Sequence, residues 1–161
     1  MQVNTERFSW FQVPEDVKQL LILAAKHWEN TAESEKYINQ ALANTGEETD
    51  VLVAAYRYFF YKNNYHMALQ IAVKVIDKIK VSEQLPDNWE QTKPILIARK
   101  EEPKMRLYLN TYAAYGLVLA KLGDIEQAKK ISIQVKEVDN KNDFGAGILY
   151  DILTRPTEED E

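Results

Sequence analysis

The sequence has no cysteine, which excludes disulfide bonds and thiolate chemistry. Histidine is almost as scarce, since His27 and His66 are the two present and neither belongs to an HExxH motif. Glycine-rich phosphate-binding loops and the GxSxG motif of serine hydrolases are also missing. We therefore predict a protein that is not an enzyme, with no catalytic residues, no metal site and no cofactor.

Long hydrophobic runs are missing as well. The longest, at residues 20–25, is far shorter than the ~20 residues that span a bilayer. The N-terminal segment MQVNTERFSWFQV contains charged residues and lacks the apolar core of a signal peptide. We therefore expect no membrane partner. Together with the absence of cysteine, this pattern favours a cytoplasmic location.

The charge of the chain argues against nucleic acid as a partner. A formal net charge of -5 repels a phosphate backbone unless basic residues are concentrated on one face. The densest basic stretch, RKEEPKMR at residues 99–106, is interrupted by two glutamates. We expect another protein, rather than nucleic acid, to be the partner.

Length and composition are typical of one all-α domain. A chain of 161 residues buries roughly 70% of its surface on folding, which is enough for a continuous core. Glycine and proline are few and low-complexity tracts are absent, so disorder of the whole chain is not expected. Helical periodicity and helix-start signals predict eight helices, at residues 14–29, 32–43, 49–62, 65–81, 94–100, 103–122, 125–138 and 144–153.

The most informative segment is YAAYGLVLAKLGDIEQAKKISIQVKEVDNKNDFGAGILY, at residues 112–150. Two helical patterns are joined by a Leu-Gly-Asp turn, in which Gly123 permits chain reversal and Asp124 starts the second helix. Gly116 and Ala128 are small enough to let the two helices pack closely where they cross. We refer to the places of Gly116 and Ala128 as the first and second crossing positions.

The same arrangement occurs earlier in the chain. One upstream copy has Tyr56 at the first crossing position, Asn64 in the turn and Ala68 at the second crossing position. A further step of 34 residues leads to Asn30 in a turn and to Ser34 at the second crossing position. That first copy is degenerate, and we expect its helices to pack less tightly or at a shifted angle.

These residues resemble the tetratricopeptide repeat (TPR), a helix-turn-helix of about 34 residues. The resemblance implies a short right-handed α-α superhelix of about three hairpins and a C-terminal capping helix, within a single domain of residues 1–161. The repeats are expected at 15–48, 49–82 and 109–142, the insertion at 83–108, the capping helix at 143–154 and an acidic tail at 155–161.

Two segments have alternative interpretations. Within the insertion, Trp89 and the apolar residues 95–98 either pack onto the repeats or form a lid over a binding surface. Near the N-terminus, Phe8, Trp10 and Phe11 either cap the first hairpin or lie in a groove of the same or a neighbouring chain.

The resemblance also implies a concave groove, lined by the first helix of each repeat, that binds a peptide segment of a partner protein. This predicts an adaptor or a chaperone-like protein. The alternative is a self-assembling protein whose N-terminal aromatic segment forms a homodimer. Projection of the helices at 3.6 residues per turn predicts the groove residues Leu23, Lys26, His27, Arg57, Phe60, Tyr61, Asn110, Leu117 and Lys121.

Overall fold

The computed structural model describes residues 14–45 and 48–139, and within them every regular element is an α-helix. The all-α fold class is therefore confirmed for this part of the chain. The predicted capping helix, the acidic tail and the N-terminal aromatic residues lie outside it. The helices are α1 (Glu15–Lys26), α2 (Thr31–Thr45), α3 (Thr49–Tyr61), α4 (Tyr65–Ser82), α5 (Trp89–Ala98), α6 (Pro103–Lys121) and α7 (Ile125–Val138).

The chain divides into two compact units, Met1–Ile71 and Ala72–Glu161, and the division falls within α4. In the first unit α1 packs against α2, and α2 also contacts α3. In the second unit α7 packs against α6 and contacts α5. Each unit therefore contains a hairpin of two helices and a third helix that contacts the second helix of that hairpin.

Three predicted helix starts are confirmed by side-chain caps. The side-chain oxygens of Asn30, Asn64 and Asp124 accept a hydrogen bond from the backbone N–H three residues further on, at 3.2, 3.3 and 3.4 Å. Each of these residues comes directly before a helix, α2, α4 or α7. Such a cap satisfies one of the four backbone donors that a helix start leaves unpaired.

Two of the turns share one backbone hydrogen-bond pattern. The N–H groups of Asn64 and Asp124 donate to the carbonyl five residues back, at 2.8 and 2.9 Å. The preceding residues, Asn63 and Gly123, have φ angles of 63° and 91°. Asparagine and glycine are the residues that adopt this left-handed backbone most readily. In the first hairpin Asn30 N–H instead donates to the carbonyl three residues back, at 2.9 Å, so its turn differs from the other two.

Gly116 and Ala128 lie at the contact between α6 and α7, as the sequence predicted. A Cβ atom added to Gly116 would lie 3.0 Å from Cγ2 of Ile131 and 3.8 Å from the carbonyl oxygen of Ala128. Ala128 is itself fully buried. The two helices therefore approach so closely that a larger residue at either crossing position displaces a neighbour.

The second crossing position is also buried in the other two copies. Ser34 and Ala68 have no exposed surface. The Ser34 hydroxyl donates to the carbonyl oxygen of Ala24 in α1, at 2.6 Å, which requires close approach of α1 and α2. A serine is therefore accommodated there because its hydroxyl is hydrogen-bonded to the facing helix.

The predicted start of the fifth helix, at Pro94, is wrong, because α5 begins at Trp89 and contains Pro94. The Asn88 side chain caps this helix by accepting from the N–H of Gln91 at 3.3 Å. Thr92 is buried, and its single hydroxyl proton is shared between the carbonyl oxygens of Pro86 and Asn88, at 2.8 and 3.0 Å. An internal proline costs about 3 kcal/mol, and these bonds together with burial of side chains in the second unit offset that cost.

Arg99 connects three segments around α5. Its guanidinium donates to Glu102 at 2.7–3.0 Å and also to Glu83. Glu83 directly follows α4, Arg99 follows α5 and Glu102 precedes α6. These bonds lower the pKa of Glu102 and raise the pKa of Arg99. The insertion thus contains a separate helix, and ion pairs join its C-terminal end to the residues that follow α4 and precede α6.

The crossing of α6 and α7 gives a stability prediction. Replacement of Ala128 by Leu should lower the free energy of unfolding by about 1–3 kcal/mol, because the larger side chain overpacks a fully buried position. Lys130→Leu, at an exposed position of the same helix, should change it by less than about 0.5 kcal/mol. Urea unfolding followed by circular dichroism measures both. Equal losses in the two variants would contradict the assigned packing.

Candidate apolar pocket in the first unit

The first unit contains an apolar pocket with a volume of about 210 Å³. It is open to the surface, where Tyr61 forms part of its rim with 68% of its surface exposed. The lining residues come from the end of α1, from α2 and from α3: Leu21, Ala24, Ala25, Trp28, Ile38, Val53, Ala54, Arg57, Tyr58 and Tyr61.

Helical periodicity explains how these residues come together. The four from α1 and its C-terminal end are spaced i, i+3, i+4 and i+7, which is one helix face. The five from α3 are spaced i, i+1, i+4, i+5 and i+8, again one face. Ile38, from α2, contributes the remaining apolar surface and is buried.

Small side chains create the empty volume. Three of the lining residues are alanines, Ala24 and Ala25 on α1 and Ala54 on α3. Because these side chains are short, they leave an open space between the faces of α1 and α3. Larger residues at any of the three positions would occupy it.

Trp28 forms one wall and is held from two directions. Lys62 donates from Nζ to the backbone carbonyl of Trp28, and its ammonium lies 4.2 Å from the centre of the indole ring. Such a cation–π contact contributes about 0.5–2 kcal/mol. On the other side the Tyr58 ring meets the indole edge-on, with ring centres 5.5 Å apart. The wall is therefore preorganised.

Two of the lining residues, Arg57 and Tyr58, carry polar groups. The Tyr58 hydroxyl is buried and makes no hydrogen bond with the described residues, while 7% of the residue is exposed. Burial raises the pKa of Tyr58 most, interaction of its hydroxyl with the Ser34 side chain lowers it and the charge of Glu35 raises it, so the hydroxyl stays protonated at neutral pH and lies toward α2. Arg57 lines the same pocket, and its guanidinium has no ion pair or hydrogen bond within the described residues.

Two of the predicted groove residues, Arg57 and Tyr61, line this pocket. Leu23, Lys26 and His27 do not, because at 3.6 residues per turn they lie on roughly the opposite side of α1 from its pocket-lining residues. The imidazole of His27 instead lies near the Tyr37 ring, with centres 5.6 Å apart.

The other predicted groove residues have different surroundings. Phe60 is half-buried and its ring meets those of Tyr61 and Tyr65 edge-on, at 5.6 and 5.8 Å. In the second unit, α6 carries the exposed residues Asn110 and Lys121 and the half-buried Leu117.

Trp28, Ala54 and Tyr58 belong to the pocket but were not predicted as site residues. Tyr58 lies within a run of aromatic residues, whose members point to all sides of a helix and so give no amphipathic signal. Ala54 carries no chemical signal of its own. The sequence did contain one signal, the i, i+4, i+8 spacing of Val53, Arg57 and Tyr61 on one face of α3. The structure adds the adjacent positions Ala54 and Tyr58 to that face.

The second unit has a shallow polar depression between α5 and α7, with a volume of about 450 Å³. At its edge Lys93 forms an ion pair with Glu137 at 2.7 Å, and the indole N–H of Trp89 points to the same carboxylate at 3.5 Å. The Trp89 ring also stacks on Tyr112, with centres 6.0 Å apart, and Tyr112 donates to Gln134 at 2.5 Å. These contacts attach α5 to α6 and α7.

The described residues contain no group of three or more histidine, aspartate or glutamate side chains placed to hold a metal ion. In the same residues, none of the helices combines the length and apolarity needed to cross a membrane.

Comparison with known proteins gives one informative relative. The "Uncharacterized 19.8 kDa protein in nifW 5'region" of Azotobacter chroococcum mcd 1 is 33% identical over 139 residues, which cover 84% of this chain and 77% of the relative. The chain belongs to the family of this Azotobacter protein. No protein-family model and no solved structure matches it. The name of the relative gives a gene position and a mass, so the family assignment carries no activity.

The unpaired hydroxyl of Tyr58 predicts an unusual effect of mutation. Without a hydrogen bond, burial of this group costs about 1–3 kcal/mol, so Tyr58→Phe should raise the free energy of unfolding by about 1 kcal/mol. Among the described residues Thr111 also has a buried hydroxyl without a partner, and Thr111→Val should likewise raise the free energy of unfolding. Tyr112→Phe is the matched control and should lower stability by about 0.5–1.5 kcal/mol, because it removes the bond to Gln134.

Calorimetry or urea unfolding distinguishes these variants. Loss of stability in Tyr58→Phe equal to that in Tyr112→Phe would mean that the Tyr58 hydroxyl has a partner.

The ion pair of Glu137 predicts a pH dependence. The hydrogen bond from Lys93 lowers the pKa of Glu137 below its usual 4.5, although burial partly opposes this. The stabilisation is therefore complete above pH 4.5 and is lost as the pH falls through the folded-state pKa. Glu137→Gln should reduce the acid dependence of stability, measured by urea unfolding at a series of pH values. Lys93→Gln should have the same effect, and additive effects in the double variant would contradict the pairing.

Proposed function

We propose that the chain is a protein–protein interaction module, an adaptor or chaperone-like protein, that binds a peptide segment of a partner in the apolar pocket of its first unit. The observation that carries the proposal is the open cavity between the faces of α1 and α3, with Trp28 as a preorganised wall. Its lining is mainly apolar and aromatic, which is the composition of an anchor pocket at a protein interface.

The volume of the pocket favours a peptide anchor over a small-molecule ligand. Small-molecule and cofactor pockets usually measure about 300–1,000 Å³. A cavity of about 210 Å³ is smaller, but it exceeds the ~150 Å³ that accommodates a benzene ring. One side chain the size of Leu or Phe would fill it and contribute about 1.5–3 kcal/mol. An extended peptide with further contacts outside the pocket could then reach micromolar affinity.

TPR-like repeats belong to the same proposal. They are supported by two turns that share a hydrogen-bond pattern and by small or short residues buried at the second crossing position of all three copies. A cytoplasmic location is also proposed, and the absence of cysteine supports it. The alternative is self-assembly, in which the aromatic residues near the N-terminus of one chain occupy the pocket of another. The experiment below includes this outcome.

Filling the cavity tests the proposal. Ala54→Leu should place a side chain in the pocket and abolish peptide binding, while the free energy of unfolding stays the same or rises. Ala43→Leu, at an exposed position of α2, is the matched control and should bind like the wild type. Short peptides selected from a random display library against the full chain are the ligands.

Fluorescence of Trp28 reports occupancy directly. The chain has three tryptophans, so a Trp10→Phe/Trp89→Phe background leaves Trp28 alone, at the wall of the pocket. Saturable changes in its emission are expected with the selected peptides, and none in the Ala54→Leu variant. Peptides that bind the filled variant as tightly as the wild type would disprove a role of this pocket. A concentration-dependent dimer that Ala54→Leu dissociates would favour self-assembly instead.

A further inference from the structure

We infer that the pocket recognises a specific pair of groups in the partner segment, a large apolar side chain and a carboxylate one or two residues from it. This inference rests on the proposed function and adds the chemistry of the ligand. The apolar side chain would fill the cavity between α1 and α3, and the carboxylate would pair with the guanidinium of Arg57.

The apolar part of the inference follows from the lining. Besides Arg57, the residues around the cavity are aliphatic or aromatic, and the three alanines provide room without supplying a polar group. A polar side chain in this space would lose its water and gain few hydrogen bonds, which costs several kcal/mol for a charged group. A leucine or phenylalanine side chain has no such desolvation cost, and it gains dispersion contacts with the Trp28 ring.

The carboxylate follows from the unpaired cation. Within the described residues Arg57 has no acidic partner, although it lines a cavity whose walls exclude water from one side. Guanidinium groups pair with carboxylates through two parallel hydrogen bonds, and such pairs gain strength where water is partly excluded. Lys62, placed over Trp28, adds a second positive charge at the same wall. Glu35 is the acidic residue that acts on Tyr58, and it lies on α2 rather than in the lining.

The net charge of the chain does not prevent this recognition. An overall charge of -5 slows the approach of acidic peptides at low ionic strength. At physiological salt charges are screened beyond about 8 Å, so the local cations at the pocket determine the preference.

The test uses short synthetic peptides with a polar background and a single Leu or Phe anchor. Matched versions carry Glu, Gln or Lys two residues from the anchor, and Trp28 in the single-tryptophan background reports binding. The wild type is expected to bind the Glu version on the order of tenfold more tightly than the Lys version. Arg57→Glu should reverse this order, and Arg57→Gln should remove the preference while the anchor remains necessary.

Each result decides between specific alternatives. An unchanged order in Arg57→Glu, together with loss of binding in Ala54→Leu, would overturn this inference and leave the proposed function standing. No binding of any peptide to the wild type would overturn both. A peptide with the sequence of residues 1–13 is included, because it contains Glu6 two residues before Phe8. If it binds more tightly than every designed peptide and Ala54→Leu abolishes that binding, the occupant is the chain's own N-terminal segment and the partner assigned here is wrong.

Discussion

Close approach of paired helices is the constraint on which the described structure depends. Between α6 and α7 the approach is so tight that a Cβ atom at Gly116 would lie 3.0 Å from Ile131. Between α1 and α2 it is marked by the hydrogen bond from Ser34 to the carbonyl of Ala24. Helices that pack at this distance fix the faces they present elsewhere. The faces of α1 and α3 in the first unit, and therefore the pocket, follow from that packing.

The pocket combines features that are individually unfavourable in a folded chain. An apolar cavity forgoes dispersion contacts, and an unpaired buried hydroxyl forgoes a hydrogen bond. Proteins retain such features most often where a ligand compensates for them. Packing elsewhere offsets their cost, through the crossing of α6 and α7 and through the ion pairs of Arg99 and Glu137 around α5. The proposed binding role is thus assigned to the first unit, whereas α5 of the second unit is attached to α6 and α7.

Family membership does not supply an activity in this case. The relation to the Azotobacter protein covers most of both chains, so the two share a family. The proposed function depends on the pocket, on Arg57 in its lining and on Trp28 as its wall, rather than on the fold class. A helical scaffold by itself is compatible with many functions.

Local signals in the sequence determined the all-α class, most helix boundaries and the three hairpin turns, because asparagine, aspartate and glycine act through backbone geometry within a few residues. They also indicated Arg57 and Tyr61 as site residues. Tertiary structure decided that α5 starts at Trp89 and tolerates Pro94, since contacts with distant residues offset the local cost. It also decided which side of α1 lines the pocket and that Trp28, Ala54 and Tyr58 belong to it. A cavity is defined by side chains from separate helices, and no local pattern records how those helices are rotated against each other.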